Sequence, residues 1–164
     1  MSRNRTIADL VDQLGEARCS DGPSLAVVES CTGGMFCSSL VANPDVSGAL
    51  ERGFVVYSNE AKCDLLGLDR AEVEACEGVS PELADKMAQA GLDRSRADIS
   101  ISITGFAGPQ ENDEEVGLVH IALAKRETAG ERQTCHFGDI GRRAVCEESV
   151  AAALKLLLAN IRRD

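Results

Sequence analysis

Ser30, Cys31 and Thr32 stand side by side in Leu25–Gly34, LAVVESCTGG, where an apolar run breaks into a polar turn and then two glycines. A serine hydroxyl is a useful nucleophile only when a base takes its proton. The two histidines fall mid-strand (His120) and in that strand's partner (His136), away from any strand end that would face a cleft. Lys62 is the base that remains. It lies in the first turn of a helix, where the positive end of the dipole disfavours an ammonium ion and partial burial acts in the same direction. Tyr57, at a strand end, can orient the lysine or relay a proton. Backbone N–H groups around Cys31 to Gly34 can form an oxyanion hole, so the chemistry this set supports is acyl transfer.

The same residues also have plainer readings. Ser30 or Thr32 can cap a helix, Tyr57 can be a rim aromatic, and Lys62 a solvated charge. Cys31 is a rival nucleophile, since a helix start favours its thiolate, or one more buried thiol. In the third group, TGFAGP, Thr104, Gly105 and Gly108 allow close approach of a ligand such as a phosphate, or make a tight turn. Arg142 and Arg143, opening the last helix, are phosphate ligands or exposed charges; an arginine there runs against the helix dipole.

The elements that must position these groups read as follows. Ile7, Leu10, Val11, Leu14 and Ala17 predict an amphipathic helix over 5–18 with its basic end frayed, and Ser20-Asp21-Gly22-Pro23 a turn. Leu25–Val28 predicts a buried strand, and the helix after Gly34 stops before Asn43-Pro44. A second strand spans Ala49–Tyr57; short helices cover Glu60–Leu66 and Asp69–Cys76; Ser80-Pro81-Glu82 starts a helix running to about Arg94. DISISIT, Asp98–Thr104, alternates as a strand with one wetter face. Strands over Val116–Lys125 and Glu131–Phe137 pair antiparallel, and Arg142–Ile161 is the closing helix. This order predicts a single-domain α/β fold, a three-layer α/β/α sandwich with a mixed central sheet. Strand ends in such a sheet gather on one edge, where the three polar groups can share a cleft.

Composition narrows the function. The 164 residues are 44% hydrophobic and 27% charged with net charge -10, which weakens any case for nucleic acid or an anionic membrane as partner. Four Phe, one Tyr and no Trp leave no stacking platform for bases. Seven cysteines without a CxxC pair support neither a zinc site nor a disulfide framework. With no signal-like apolar block at the N-terminus, the expected location is the cytoplasm.

Taken together, AVVESCTGG (26–34), GFVVYSNEAKCDLLG (53–67), GVS (78–80) and SITGFAGP (102–109) resemble the C-terminal amidohydrolase domain of the competence/damage-inducible CinA proteins. The stand-alone form of that family is a nicotinamide mononucleotide deamidase. The resemblance spans about residues 5–160 and implies hydrolysis of the mononucleotide's carboxamide to nicotinic acid mononucleotide and ammonia. It implies Ser30 as nucleophile, Lys62 as base and Tyr57 as its assistant. Glu29, Cys31, Thr32, Gly33, Gly34, Thr104, Gly105, Gly108 and Arg142 are the implied substrate-binding set. No cofactor or metal is implied, and a homo-oligomer, a dimer first, is. Two places depart from the family pattern. Pro109 is followed by QENDEEVG in place of a longer glycine-rich loop ending in lysine-proline, and the segment before the last helix reads Gly138-Asp139-Ile140-Gly141-Arg142. Glu114 and Glu115 would repel an anionic nucleotide unless they point away. The alternative reading is therefore a nucleotide-binding or regulatory homologue without useful turnover. A dinucleotide-dependent oxidoreductase is a poor third, since no GxGxxG follows the first strand.

Overall fold

The computed structural model describes residues 6–19 and 21–161. The basic N-terminal end and Ser20 of the expected turn lie outside the described residues. Chain order is α1 (Ile7–Arg18), β1 (Leu25–Glu29), α2 (Met35–Val41), α3 (Pro44–Ser47), β2 (Leu50–Val55), α4 (Asn59–Leu66), α5 (Arg70–Ala75), α6 (Pro81–Asp93), β3 (Ile99–Gly105), β4 (Leu118–Lys125), β5 (Glu131–His136) and α7 (Arg142–Ile161). The short helix α3 is the one element not expected from sequence; Asn43 accepts from the Asp45 N–H and Pro44 starts the turn, so a cap and a proline suffice to form it.

The strands lie in the order β2-β1-β3-β4-β5. β1 is parallel to both β2 and β3, whereas β4 is antiparallel to β3 and β5. The sheet is therefore mixed, with helices on both faces. Leu25 and Val27 of β1 join Leu14 of α1, Phe36 of α2, and Val145 and Leu157 of α7 in one core. Val28, one pleat over, joins Leu66, Val73, Leu83 and Met87 of α4 to α6 on the opposite face. All five β1 residues are buried, as a central strand covered on both sides requires.

One expectation about β3 is corrected. Its alternating serines do not mark a wet face: Ser100, Ser102 and Thr104 are fully buried. Small residues on α6 explain the difference. A Cβ on Gly91 would fall 2.5 Å from Ser100 Oγ and 2.6 Å from Val28 Cγ2, so the helix lies against the sheet at a distance only glycine permits. Of the three, Ser102 Oγ finds a helix partner, donating to the Ala84 carbonyl at 2.6 Å, whereas Ser100 Oγ is buried without a hydrogen-bond partner among the described residues.

The parallel arrangement sets the site. Glu29, last in β1, pairs with Val55 of β2 and Ile103 of β3, so the turns after all three strands emerge at one edge of the sheet.

Candidate active site

The turn after β1 is pinned from both sides. The Ser30 N–H donates to the Ile103 carbonyl at 2.9 Å, and the Val56 N–H donates to the Glu29 carbonyl at 2.8 Å. Glu29 itself is fully buried. Its carboxylate accepts from Thr32 Oγ1 at 2.6 Å and from the N–H groups of Gly34, Phe36 and Cys37 at 3.1, 3.0 and 2.9 Å. A carboxylate reaching from the strand thus satisfies the donors at the start of α2, whose N-cap, Gly34, has no side chain to do so.

Several expectations are sharpened or corrected by this arrangement. Neither Ser30 nor Thr32 caps α2, because Glu29 does that work. Glu29 and Thr32, expected in the substrate-binding set, spend their polar atoms on each other and on the turn. Gly33 and Gly34 do not line the cleft either. The Gly33 N–H is held by the Ser30 carbonyl and the Gly34 N–H by Glu29, so neither is free as an oxyanion donor. The N–H groups of Cys31 and Thr32 donate to no other residue's backbone among the described residues. The Ser30 hydroxyl is likewise uncommitted among the described residues.

Lys62 is placed by the start of α4. Ser58 caps that helix by accepting from the Ala61 N–H at 3.0 Å, which fixes the first turn one residue before the lysine. The Lys62 side chain is 3% exposed, and burial pushes its pKa below the ordinary lysine value. No hydrogen bond or carboxylate holds its ammonium group among the described residues. Room for it comes from Gly78, a buried residue at φ +75°: a Cβ there would sit 2.9 Å from Lys62 Nζ and 2.3 Å from Asn59 Oδ1. Thr104 serves this arrangement from below. It is buried rather than facing the cleft, and its hydroxyl donates to the Gly78 carbonyl at 2.7 Å.

Cys31, the rival nucleophile, is buried, and burial reinforced by the nearby Cys146 thiol pushes its pKa up to about 12. The Cys31 carbonyl also accepts from Cys146 Sγ at 3.2 Å. Its thiol is therefore protonated at neutral pH, since desolvation outweighs any help from the helix start.

Ser30, Cys31, Tyr57, Lys62, Gly105, Gly108 and Arg142 border one open cleft of about 500 Å³. That volume is within the usual range for a small-molecule site. Tyr57 stands at the rim, 59% exposed, and its hydroxyl accepts from Arg142 Nη1 at 3.0 Å, tying the chain after β2 to the start of α7. Arg143 faces elsewhere, donating to Glu147 along its own helix at 2.8 Å. No histidine lines the cleft: His120 is buried in β4 against Thr134 Oγ1, and His136 Nδ1 lies 2.6 Å from Glu115 Oε1. Glu115 is thereby drawn away from the cleft, whereas Glu111, Asn112 and Glu114 line it. No group of three His, Cys, Asp or Glu residues is placed to hold a metal ion among the described residues. No described helix is long and apolar enough to cross a membrane.

Two site residues lie outside the set expected from sequence. Asn59 and Gly78 shape the surroundings of Lys62; Gly78 stood in a recognised fragment, but only the fold brings it against a side chain sixteen residues earlier.

The family described as the CinA C-terminal domain matches residues 7–161. The chain is 37% identical over 154 residues to the nicotinamide-nucleotide amidohydrolase PncC of Escherichia coli, covering 92% of each chain. It is 42% identical over 123 residues to a CinA-like protein of Chlorobium limicola, covering 74% of this chain and 29% of that one. The chain thus spans about a third of the length of such longer relatives. Among solved structures, the competence/damage inducible protein CihA of Agrobacterium tumefaciens superposes with a TM-score of 0.88 at 35% identity, covering 93% of this chain and 94% of that one. A CinA superfamily protein of E. coli gives 0.86 at 31% identity, covering 96% and 92%.

Proposed function

The chain belongs to the CinA C-terminal domain family, and from that premise we propose that it is an amidohydrolase acting on the carboxamide of a nicotinamide nucleotide, nicotinamide mononucleotide being the first substrate to test. The observation that carries this reading is a pair of uncommitted groups in one cleft: the Ser30 hydroxyl, and the Lys62 amine whose pKa burial lowers. A lysine held without a counter-ion is a base near neutral pH at a far larger fraction than a solvated one.

The reaction proceeds in two halves. Ser30 Oγ attacks the carboxamide carbon while neutral Lys62 takes the hydroxyl proton. The resulting oxyanion is received by the backbone N–H of Cys31, the residue after the nucleophile, which borders the cleft. Lys62 then gives its proton to the amide nitrogen, the C–N bond breaks and ammonia leaves, which puts the acyl group on Ser30 as an ester. A water molecule attacks that ester, again losing its proton to Lys62. The ester C–O bond breaks, Ser30 recovers the proton, and the nicotinate product departs. Tyr57, held by Arg142, orients the groups at the cleft mouth.

Ammonia release from nicotinamide mononucleotide tests the proposal in the unmodified protein, Ser30→Ala and Cys31→Ala. Turnover that survives in Cys31→Ala and drops by orders of magnitude in Ser30→Ala is expected. Undiminished turnover in Ser30→Ala would sink the serine mechanism. Tight binding with no ammonia from any of several amides would instead favour a nucleotide-binding module.

A further inference from the structure

The loop after Pro109 folds a carboxylate onto its own backbone donors. The N–H groups of Glu111 and Asn112, successive along the chain, converge on the two carboxylate oxygens of Glu114 at 2.6 and 2.7 Å. Consecutive backbone donors aimed at one point make a concavity that binds anions. Here the chain fills it with its own side chain. Gln110 Nε2 donates to the Glu114 carbonyl at 2.9 Å, which holds the residue's backbone in register with the donors. The N–H bonds, that of Glu111 first, keep the Glu114 carboxyl below its usual range, so it is charged at neutral pH.

This internal anion borders the same cleft as Ser30 and Lys62. Glu74, Glu77 and Glu111 line that cleft as well. Against these carboxylates stands the Arg142 guanidinium, one of whose nitrogens is already bonded to Tyr57, while Lys62 must be neutral to act as a base. A phosphate dianion entering the cleft finds the Glu111 and Asn112 N–H groups taken and net negative charge around it. A pyridinium ring carries a positive charge and meets the opposite field.

We propose that Glu114 is a specificity-determining residue, and that the cleft takes a pyridinium carboxamide nucleoside without gaining anything from a phosphate on its ribose. The proposal rests on the amidohydrolase reading above and changes its substrate from the nucleotide to the nucleoside that carries the same carboxamide. Discrimination of this kind works by placing a repulsive group against one competitor while leaving the shared portion's contacts in place.

The test measures equilibrium binding of nicotinamide riboside and nicotinamide mononucleotide by calorimetry, in Ser30→Ala protein so that neither is consumed. With Glu114 present, the riboside is expected to bind at least as tightly as the mononucleotide. Glu114→Gln, which keeps the shape and removes the charge, is expected to shift the affinity ratio towards the mononucleotide by about tenfold, the scale of a partly screened charge pair acting on a dianion. Glu114→Ser, which vacates the two N–H groups, should shift it the same way and covers the case in which the glutamine variant does not fold. Tighter binding of the mononucleotide with Glu114 in place, or a ratio unmoved by both substitutions, would overturn the proposal. Binding of neither ligand to any variant overturns it together with the amidohydrolase reading. Ammonia release in protein that retains Ser30 separates the two: its absence with both ligands defeats the amidohydrolase reading alone, since the affinity ratio still decides the role of Glu114.

Discussion

Replacing Gly78 with alanine should damage catalysis beyond its cost in stability, and a second glycine supplies the control. Gly78 sits at φ +75°, where an L-residue pays about 1–2 kcal/mol of backbone strain. Its new Cβ would lie 2.3 Å from Asn59 Oδ1 and 2.9 Å from Lys62 Nζ, so both side chains must move. Gly67, the C-cap of α4, has φ +67°, and a Cβ there would meet the Arg94 guanidinium at 2.3 Å, a flexible group that does not line the cleft. The two substitutions therefore share a backbone cost and differ in what they displace. For a chain of this size each kcal/mol lowers the melting midpoint by about 2–4 °C, so both variants should melt several degrees early. Displacing a general base by a fraction of an ångström to an ångström costs about a hundredfold in rate, so only Gly78→Ala should lose that much kcat. Thermal melts and ammonia-release kinetics at a temperature where both variants are folded make the comparison. Equal activity in the two variants would refute the idea that Gly78 exists to make room for Lys62.

Two further outcomes follow from the same geometry. Lys62→Met should abolish turnover and yet raise the unfolding midpoint near neutral pH. The folded-state pKa of Lys62 is lowered, so between that value and the ordinary lysine value of about 10.4 the unfolded chain binds more protons, and the stability of the unmodified protein rises with pH across that window. The advantage of the methionine variant should narrow as pH climbs through it; urea midpoints measured from neutral to alkaline pH check this, and a methionine variant less stable at pH 7 would mean that Lys62 is a paired structural cation. Glu29→Ala should be destabilising, because it leaves three N–H groups at the start of α2 without partners, that of Phe36 buried and those of Gly34 and Cys37 part-buried, at about 1–3 kcal/mol for the buried one and less for the others. Urea unfolding measures the loss, and a cost below about 1 kcal/mol would mean that water replaces the carboxylate there.

Much of the scaffold is legible in the chain because it follows from local rules. LAVV before SCTGG reads as a buried strand turning towards a helix. Ser58 before Asn59, and Ser80 before Pro81, mark helix starts where the structure has α4 and α6. Periodicity places β3, β4 and α7, and the loop containing Gly130 places β5 as the partner of β4. The same periodicity misleads at Ser100, Ser102 and Thr104, since alternation records which residues share a face and not how closely the helix above them packs; Gly91 allows α6 to bury them.

The site divides along the same line. Residue types and their order bring Ser30, Tyr57 and Lys62 forward as candidates beside plainer readings, since the histidines fall in the wrong elements, and the family resemblance is what selects the three. The sequence by itself therefore determines the α/β element order, the family and the short roll of groups with useful chemistry. Only the tertiary structure decides what each group is free to do. It turns Glu29 from an expected ligand residue into the cap of α2, and it buries the Cys31 thiol until it holds its proton. It draws Glu115 to His136 and folds Glu114 onto its own loop. Burial, close approach and hydrogen bonds between residues far apart in the chain set charge and availability, and none of these is a property of a residue's immediate neighbours in sequence.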